Sequence, residues 1–133
     1  MTDEMIALAR RAVTCRGWRW MPGMRVEWVG MGTGWRMLSE TQSWYEREGC
    51  EDGEPGGPNA VPDLTDHATL GCLLALVREA WACECACVLP LDYGPGGAWW
   101  VCRLAGNGRS LTERHWPTEA EALVAALEAA PGQ

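Results

Sequence analysis

The chain has 133 residues, with 18 acidic against 11 basic side chains and a formal net charge of −7. That length fits one domain able to bury a core without disulfides or metal. The acidic balance excludes ordinary duplex nucleic-acid binding, which needs cations to displace counterions from phosphates.

The opening "MTDEMIALARRAV" is charged and amphipathic and lacks the apolar core of a signal peptide. No apolar run approaches the ~20 residues of a membrane span. The expectation is a soluble protein of the cytoplasm. A helix is predicted from Asp3 to about Cys15, capped by Thr2 or Asp3, with Ile6, Ala9 and Val13 on one stripe and Met5, Leu8 and Ala12 beside it. Pro22-Gly23 suits the centre of a type II turn, because glycine takes positive φ there. "RVEWVG" (25–30), "WRMLSE" (35–40) and "QSWYER" (42–47) read as strands. The acidic, Gly- and Pro-rich stretch 48–60 reads as a mobile loop within one domain spanning 1–133.

The second helix is the clearest element. Asp66 is its N-cap, and Leu70, Leu73, Leu74, Val77 and Trp81 form a buried stripe that Cys72, Leu76 and Ala80 widen. Gly71 inside it predicts close packing against another backbone. A third helix starts at the capping box Thr118-Glu119-Ala120-Glu121 and carries Leu123, Val124, Leu127 and Ala130 inward.

Between these helices, "CECACVLPL" and "AWWVCRLA" flank "DYGPGG" as a hairpin. Pairing Leu91 with Ala98 sets Leu89 opposite Trp100 and Cys87 opposite Cys102. One face then holds only apolar residues and thiols. On such a strand Cys83, Cys85 and Cys87 stand ~6.6 Å apart in succession. Thiolates on one zinc lie within ~4 Å of each other. Strand and chelate therefore exclude each other, and the cysteines read as small core hydrophobes. The zinc alternative uses Cys83, Cys85 and Cys87 with Cys102 or His115 as fourth ligand, and requires the strand to be broken. Seven cysteines in a chain without an export signal also argue for reduced thiols.

Other constellations carry less. "GMGTG" has no following helix and no lysine for a phosphate loop, so it reads as a turn. Ser110, Glu113 and His115 lack a nucleophile elbow. His67 is expected at the surface. Nine tryptophans stand beside no phenylalanine. Trp28, Trp81 and Trp100 fit core positions, whereas Trp18, Trp20, Trp35, Trp44, Trp99 and Trp116 are hard to bury together. Aromatic residues left at a surface often anchor partners. The candidate binding residues are Arg16, Trp18, Arg19, Trp20, Trp99 and Trp116.

"ARRAVTCRGWRWMPGM", "VPDLTDHATLGCLLALVREAW" and "TEAEALVAALEAAP", about half the chain, resemble segments of a family of small, mostly uncharacterised proteins of tailed bacteriophages. The family pattern places proline after the aspartate of "TD", where this chain has His67. The resemblance implies viral origin and an accessory role in the infected cell, and no substrate.

The expected fold is α+β, an antiparallel sheet of about four to six strands with three helices. The expected function is non-enzymatic binding to a host protein, as an inhibitor of a defence or nucleic-acid-handling protein of the anti-CRISPR kind, with no cofactor. The alternative is a small-molecule binder, such as a nucleotide-signal sponge, with Arg16, Arg19, Trp18 and Trp20 converging on a pocket.

Overall fold

Thr2 opens the first helix, α1 (Asp3–Thr14). Its hydroxyl accepts the Met5 N–H at 3.2 Å, while Asp3 and Glu4 place negative charge at the positive end of the helix. Leu8, Ala9 and Ala12 are its buried residues. This computed structural model describes residues 2–30, 34–37, 42–45, 49–52, 59–92, 98–103 and 115–131. They divide into two compact units, Met1–Thr14 with Arg19–Cys72, and Cys15–Trp18 with Leu73–Gln133.

In the first unit, a turn hands the chain to a sheet. Met24 N–H donates to Met21 O at 3.1 Å, and Gly23 takes φ 97°, as the Pro22-Gly23 pair requires. Five short strands follow: β1 (Arg25–Trp28), β2 (Gly34–Met37), β3 (Gln42–Tyr45), β4 (Gly49–Asp52) and β5 (Ala60–Pro62). They form one sheet in the order β4-β3-β2-β1-β5. Every pairing is antiparallel, with Val26 facing Trp35 on one side and Pro62 on the other. Helix α1 packs against β5. Met24, Val26, Met37, Val61 and Leu64 are almost wholly buried.

The stretch 48–60 is not simply a loop. Its early part pairs as β4 and its last residue begins β5, while 53–58 lie outside the described residues.

Helix α2 (His67–Ala80) begins in the first unit and continues in the second. Asp66 caps it as expected, accepting the Thr69 N–H at 3.0 Å. Gly71 contradicts its expected role. It is exposed, and a methyl group added there would meet nothing within 4 Å. The helix ends in a Schellman motif: Ala82 N–H donates to Glu79 O at 3.1 Å and Cys83 N–H to Arg78 O at 2.9 Å. Ala82 occupies the left-handed position at φ 50°.

The second unit joins the end of α2 to β6 (Cys87–Asp92), β7 (Ala98–Arg103) and α3 (Glu119–Glu128). β6 and β7 form a two-stranded sheet of their own, so the strands fall into two sheets rather than one. Helix α3 packs on both strands. Its capping box forms, with Glu121 N–H donating to Thr118 Oγ1 at 3.1 Å.

Two expectations about the hairpin fail. Cys83 to Ala86 is a turn, closed by Ala86 N–H to Cys83 O at 3.2 Å, so only Cys87 of the three alternate cysteines lies on a strand. The pairing is shifted by one residue: Cys87 faces Arg103, Val88 faces Cys102 and Pro90 faces Trp100. The shift seats Pro90, which has no N–H, in a pair whose backbone groups turn away from the partner strand. Trp100 exchanges two backbone bonds with Trp116, at 2.7 and 2.8 Å. No described helix is long and apolar enough to cross a membrane.

Candidate functional site

Charged groups converge most densely in the first unit, where β1 and β2 meet the start of α2. Arg36 on β2 grips Asp66 with two parallel bonds, Nη2 to Oδ1 at 2.9 Å and Nη1 to Oδ2 at 3.1 Å. The same Nη1 donates to Gly23 O at 2.7 Å. Thr69 is fully buried and links two elements through one hydroxyl. It accepts the Arg25 N–H at 2.9 Å and donates to Asp66 Oδ2 at 2.8 Å. Arg25 sets its Nε 3.4 Å from both Glu27 Oε1 and Asp63 Oδ2. Buried Asp63 also accepts the Thr65 hydroxyl at 2.6 Å and the Thr65 N–H at 3.0 Å. Gly34 leaves room for this arrangement, since a Cβ there would collide with the Arg25 guanidinium.

The electrostatics define what this cluster can do. The Arg36 bonds, helped by those from Thr69 and opposed by burial, lower the Asp66 carboxyl to about 2. It therefore carries no proton at neutral pH, and its oxygens are taken by internal donors. Asp66 clasps strand to helix and is not a free acid or base.

The sequence missed this cluster because the bonds that join its strands to the helix start link distant residues, 30 apart for Arg36 and Asp66 and 44 for Arg25 and Thr69. One signal existed: Asp66 as an N-cap fixes a carboxylate at a known place.

The second unit holds an open groove of about 530 Å³ at the C-terminal end of α2, lined by Ala75, Arg78, Glu79, Ala82, Cys83 and Glu84. The Arg78 Nε is fixed to Ala86 O at 2.8 Å. Of the expected binding residues whose side chains are described, none lines the groove.

Arg16 and Trp18 belong to the second unit, Arg19 and Trp20 to the first. Both arginines are exposed and both tryptophans half-buried. Trp116 is half-buried beside β7, while the Trp99 side chain lies outside the described residues. Trp28, Trp81 and Trp100 are also half-buried rather than core. Methionine, leucine and valine take the deepest positions instead. Ser110 and Glu113 lie outside the described residues, and His67 and His115 are exposed.

The cysteines separate by environment. Cys83 and Cys102 are buried, Cys72 and Cys87 half-buried, and Cys85 exposed. Burial, reinforced by Cys87 and Cys83 nearby, pushes the Cys102 thiol up to about 11. Burial also raises Cys72. Both are protonated at neutral pH, the poorly nucleophilic form. The strand argument against zinc falls with the turn at Cys83–Ala86. The arrangement that replaces it brings no group of three or more His, Cys, Asp or Glu into metal-binding geometry among the described residues.

Comparison of the chain with protein-family models, with curated proteins and with solved structures finds no match.

Proposed function

We propose that the protein acts by binding, as a non-enzymatic accessory protein of a tailed bacteriophage. Its target in the host cytoplasm is a basic protein that handles nucleic acid, including those of defence systems. The observation that supports this is the fate of the convergent charges. Arg25 and Arg36 pair with Asp63, Glu27 and Asp66, two cations with three anions, so this cluster accounts for only one negative charge of the chain's net −7 and most of the acidic excess lies elsewhere in the chain. An acidic surface steers basic partners and competes with nucleic acid for them.

Capture on the immobilised protein from nuclease-treated lysate of infected cells, read by mass spectrometry, tests the reading. A basic nucleic-acid-handling protein released by raised salt supports it. A co-purifying nucleotide, or no retained protein, overturns it.

A further inference from the structure

Most of the chain's negative charge lies in one short stretch. Residues 40–54 hold six acids, Glu40, Glu46, Glu48, Glu51, Asp52 and Glu54, against the single base Arg47, and so carry −5 of the net −7. The rest of the chain holds 12 acids and 10 arginines and is nearly balanced. The stretch contains β3 and β4. Glu51 and Asp52 stand on β4, opposite Ser43 and Gln42, with Glu48 directly before that strand and Glu54 two residues after it.

β4 is also the end strand of its sheet, in the order β4-β3-β2-β1-β5. In an antiparallel pair, alternate residues turn their N–H and C=O away from the partner strand. Gly49, Cys50, Glu51 and Asp52 all possess an N–H, so each outward residue of β4 offers both a donor and an acceptor. Among the described residues no strand pairs with this edge. The other end of the sheet differs, since β5 carries Pro62 and α1 packs against it. Proline and a covering helix are ways of closing an edge, and β4 has no proline.

Charge selects the occupant. A second copy of this chain, edge to edge, would set one acidic stretch against another, and like charges across a strand pair repel. A strand rich in arginine or lysine would instead bring cations to the register positions of Glu51 and Asp52. We propose that the unpaired edge of β4 takes an extended basic segment of the partner protein as an added strand. Backbone bonds along β4 hold the segment, and the acidic stretch selects it over neutral and acidic strands. This rests on the reading that the partner is a basic protein, and it names the surface that receives it.

The probe is a short peptide alternating arginine with valine, titrated into the full chain at about 150 mM salt, where long-range attraction is screened. The expected result is saturable binding, with slowed hydrogen exchange at alternate amides of β4. Glu48→Gln/Glu51→Gln/Asp52→Asn should weaken binding at least about tenfold, whereas the same loss of charge at exposed sites elsewhere, in Glu4→Gln/Glu84→Gln/Glu128→Gln, should change it less than about threefold. A measurement on the unaltered protein decides the case should the variants not fold. The same peptide N-methylated at every residue keeps its charge but cannot donate to an edge, and should bind at least about tenfold more weakly. Equal binding by the two triple variants, equal binding of the methylated peptide, or no binding of the probe overturns the proposal. Capture of the same basic protein from lysate by the edge variant as by the unaltered chain overturns the edge alone. Failure of the proposed function reads differently, as a peptide that binds β4 while no basic protein is captured.

Discussion

Gly71 and Ala82 each occupy a position better suited to the other residue. Gly71 sits inside α2 with open space around it, so Gly71→Ala should stabilise by about 1 kcal/mol through helix propensity. Ala82 sits at φ 50° after the helix, where a Cβ costs ~1–2 kcal/mol, so Ala82→Gly should stabilise by about as much. The two are distant enough to add, and a lowered thermal midpoint in either variant contradicts the argument. Asp66 gives a pH-dependent counterpart. Its carboxyl lies at about 2 in the fold against an ordinary 3.8, so its contribution is present above the ordinary value and fades as pH falls through about 2. Urea midpoints of the unaltered protein and Asp66→Asn should differ at neutral pH and converge across that window. A difference that persists at pH 2 would place the stabilisation elsewhere. The observed register also inverts an expectation about the cysteines. Cys102, 1 % exposed, cannot accept a charge, so Cys102→Asp should cost several kcal/mol. Cys87→Asp should be mild, because it sets a carboxylate opposite Arg103. Equal damage from the two would restore the register with Cys87 opposite Cys102. Caps and the Pro-Gly turn were legible in the sequence because they are satisfied within four residues. The setting of Gly71 and of each thiol depends on neighbours that no local pattern names.

The helices and strands β1, β2, β3, β6 and β7 were visible as a hydrophobic period or a cap, whereas β4 and β5, in and beside the stretch read as a loop, were not, and neither was the pairing. Helices α1, α2 and α3 lie within a residue or two of their expected spans, since spacing and capping residues mark both ends. The hairpin strands were visible too, but the register specified by gathering the apolar residues and thiols on one face lies one residue from the observed one. In the observed register Pro90, which lacks an N–H, stands opposite Trp100, whose N–H and C=O bond Trp116 on the other side. The contact between α2 and α3 is similarly hidden. Trp81 indole N–H donates to Ala126 O at 2.8 Å, satisfying one of the last four carbonyls of α3, which lack helical partners. Trp81→Phe keeps most of the packing and loses that bond, at a cost of about 1 kcal/mol. Trp116→Phe is the control, because its bonds to Trp100 run through the backbone and survive the change. Denaturant unfolding of both variants checks the pair, and comparable losses would remove Trp81 from its capping role.

For the whole molecule, charge makes a sharper statement than shape. Binding to duplex DNA draws its energy from counterions released by cations that reach phosphates. Of the 11 arginines, Arg25 and Arg36 already hold carboxylates at 2.9–3.4 Å, and Arg78 holds a carbonyl. Arg10, Arg11, Arg16 and Arg19 are exposed, but they act against the field of a −7 chain. Fluorescence anisotropy with a labelled duplex at about 150 mM salt should therefore show no saturable binding up to about 10 µM protein. Any weak association at about 20 mM salt should vanish on raising the salt, following the steep dependence of phosphate contacts. It should also vanish in Arg10→Ala/Arg11→Ala. Sub-micromolar binding at the higher salt would mean that the local basic groups outweigh the net charge, and would turn the proposed target from a nucleic-acid-handling protein to the nucleic acid itself.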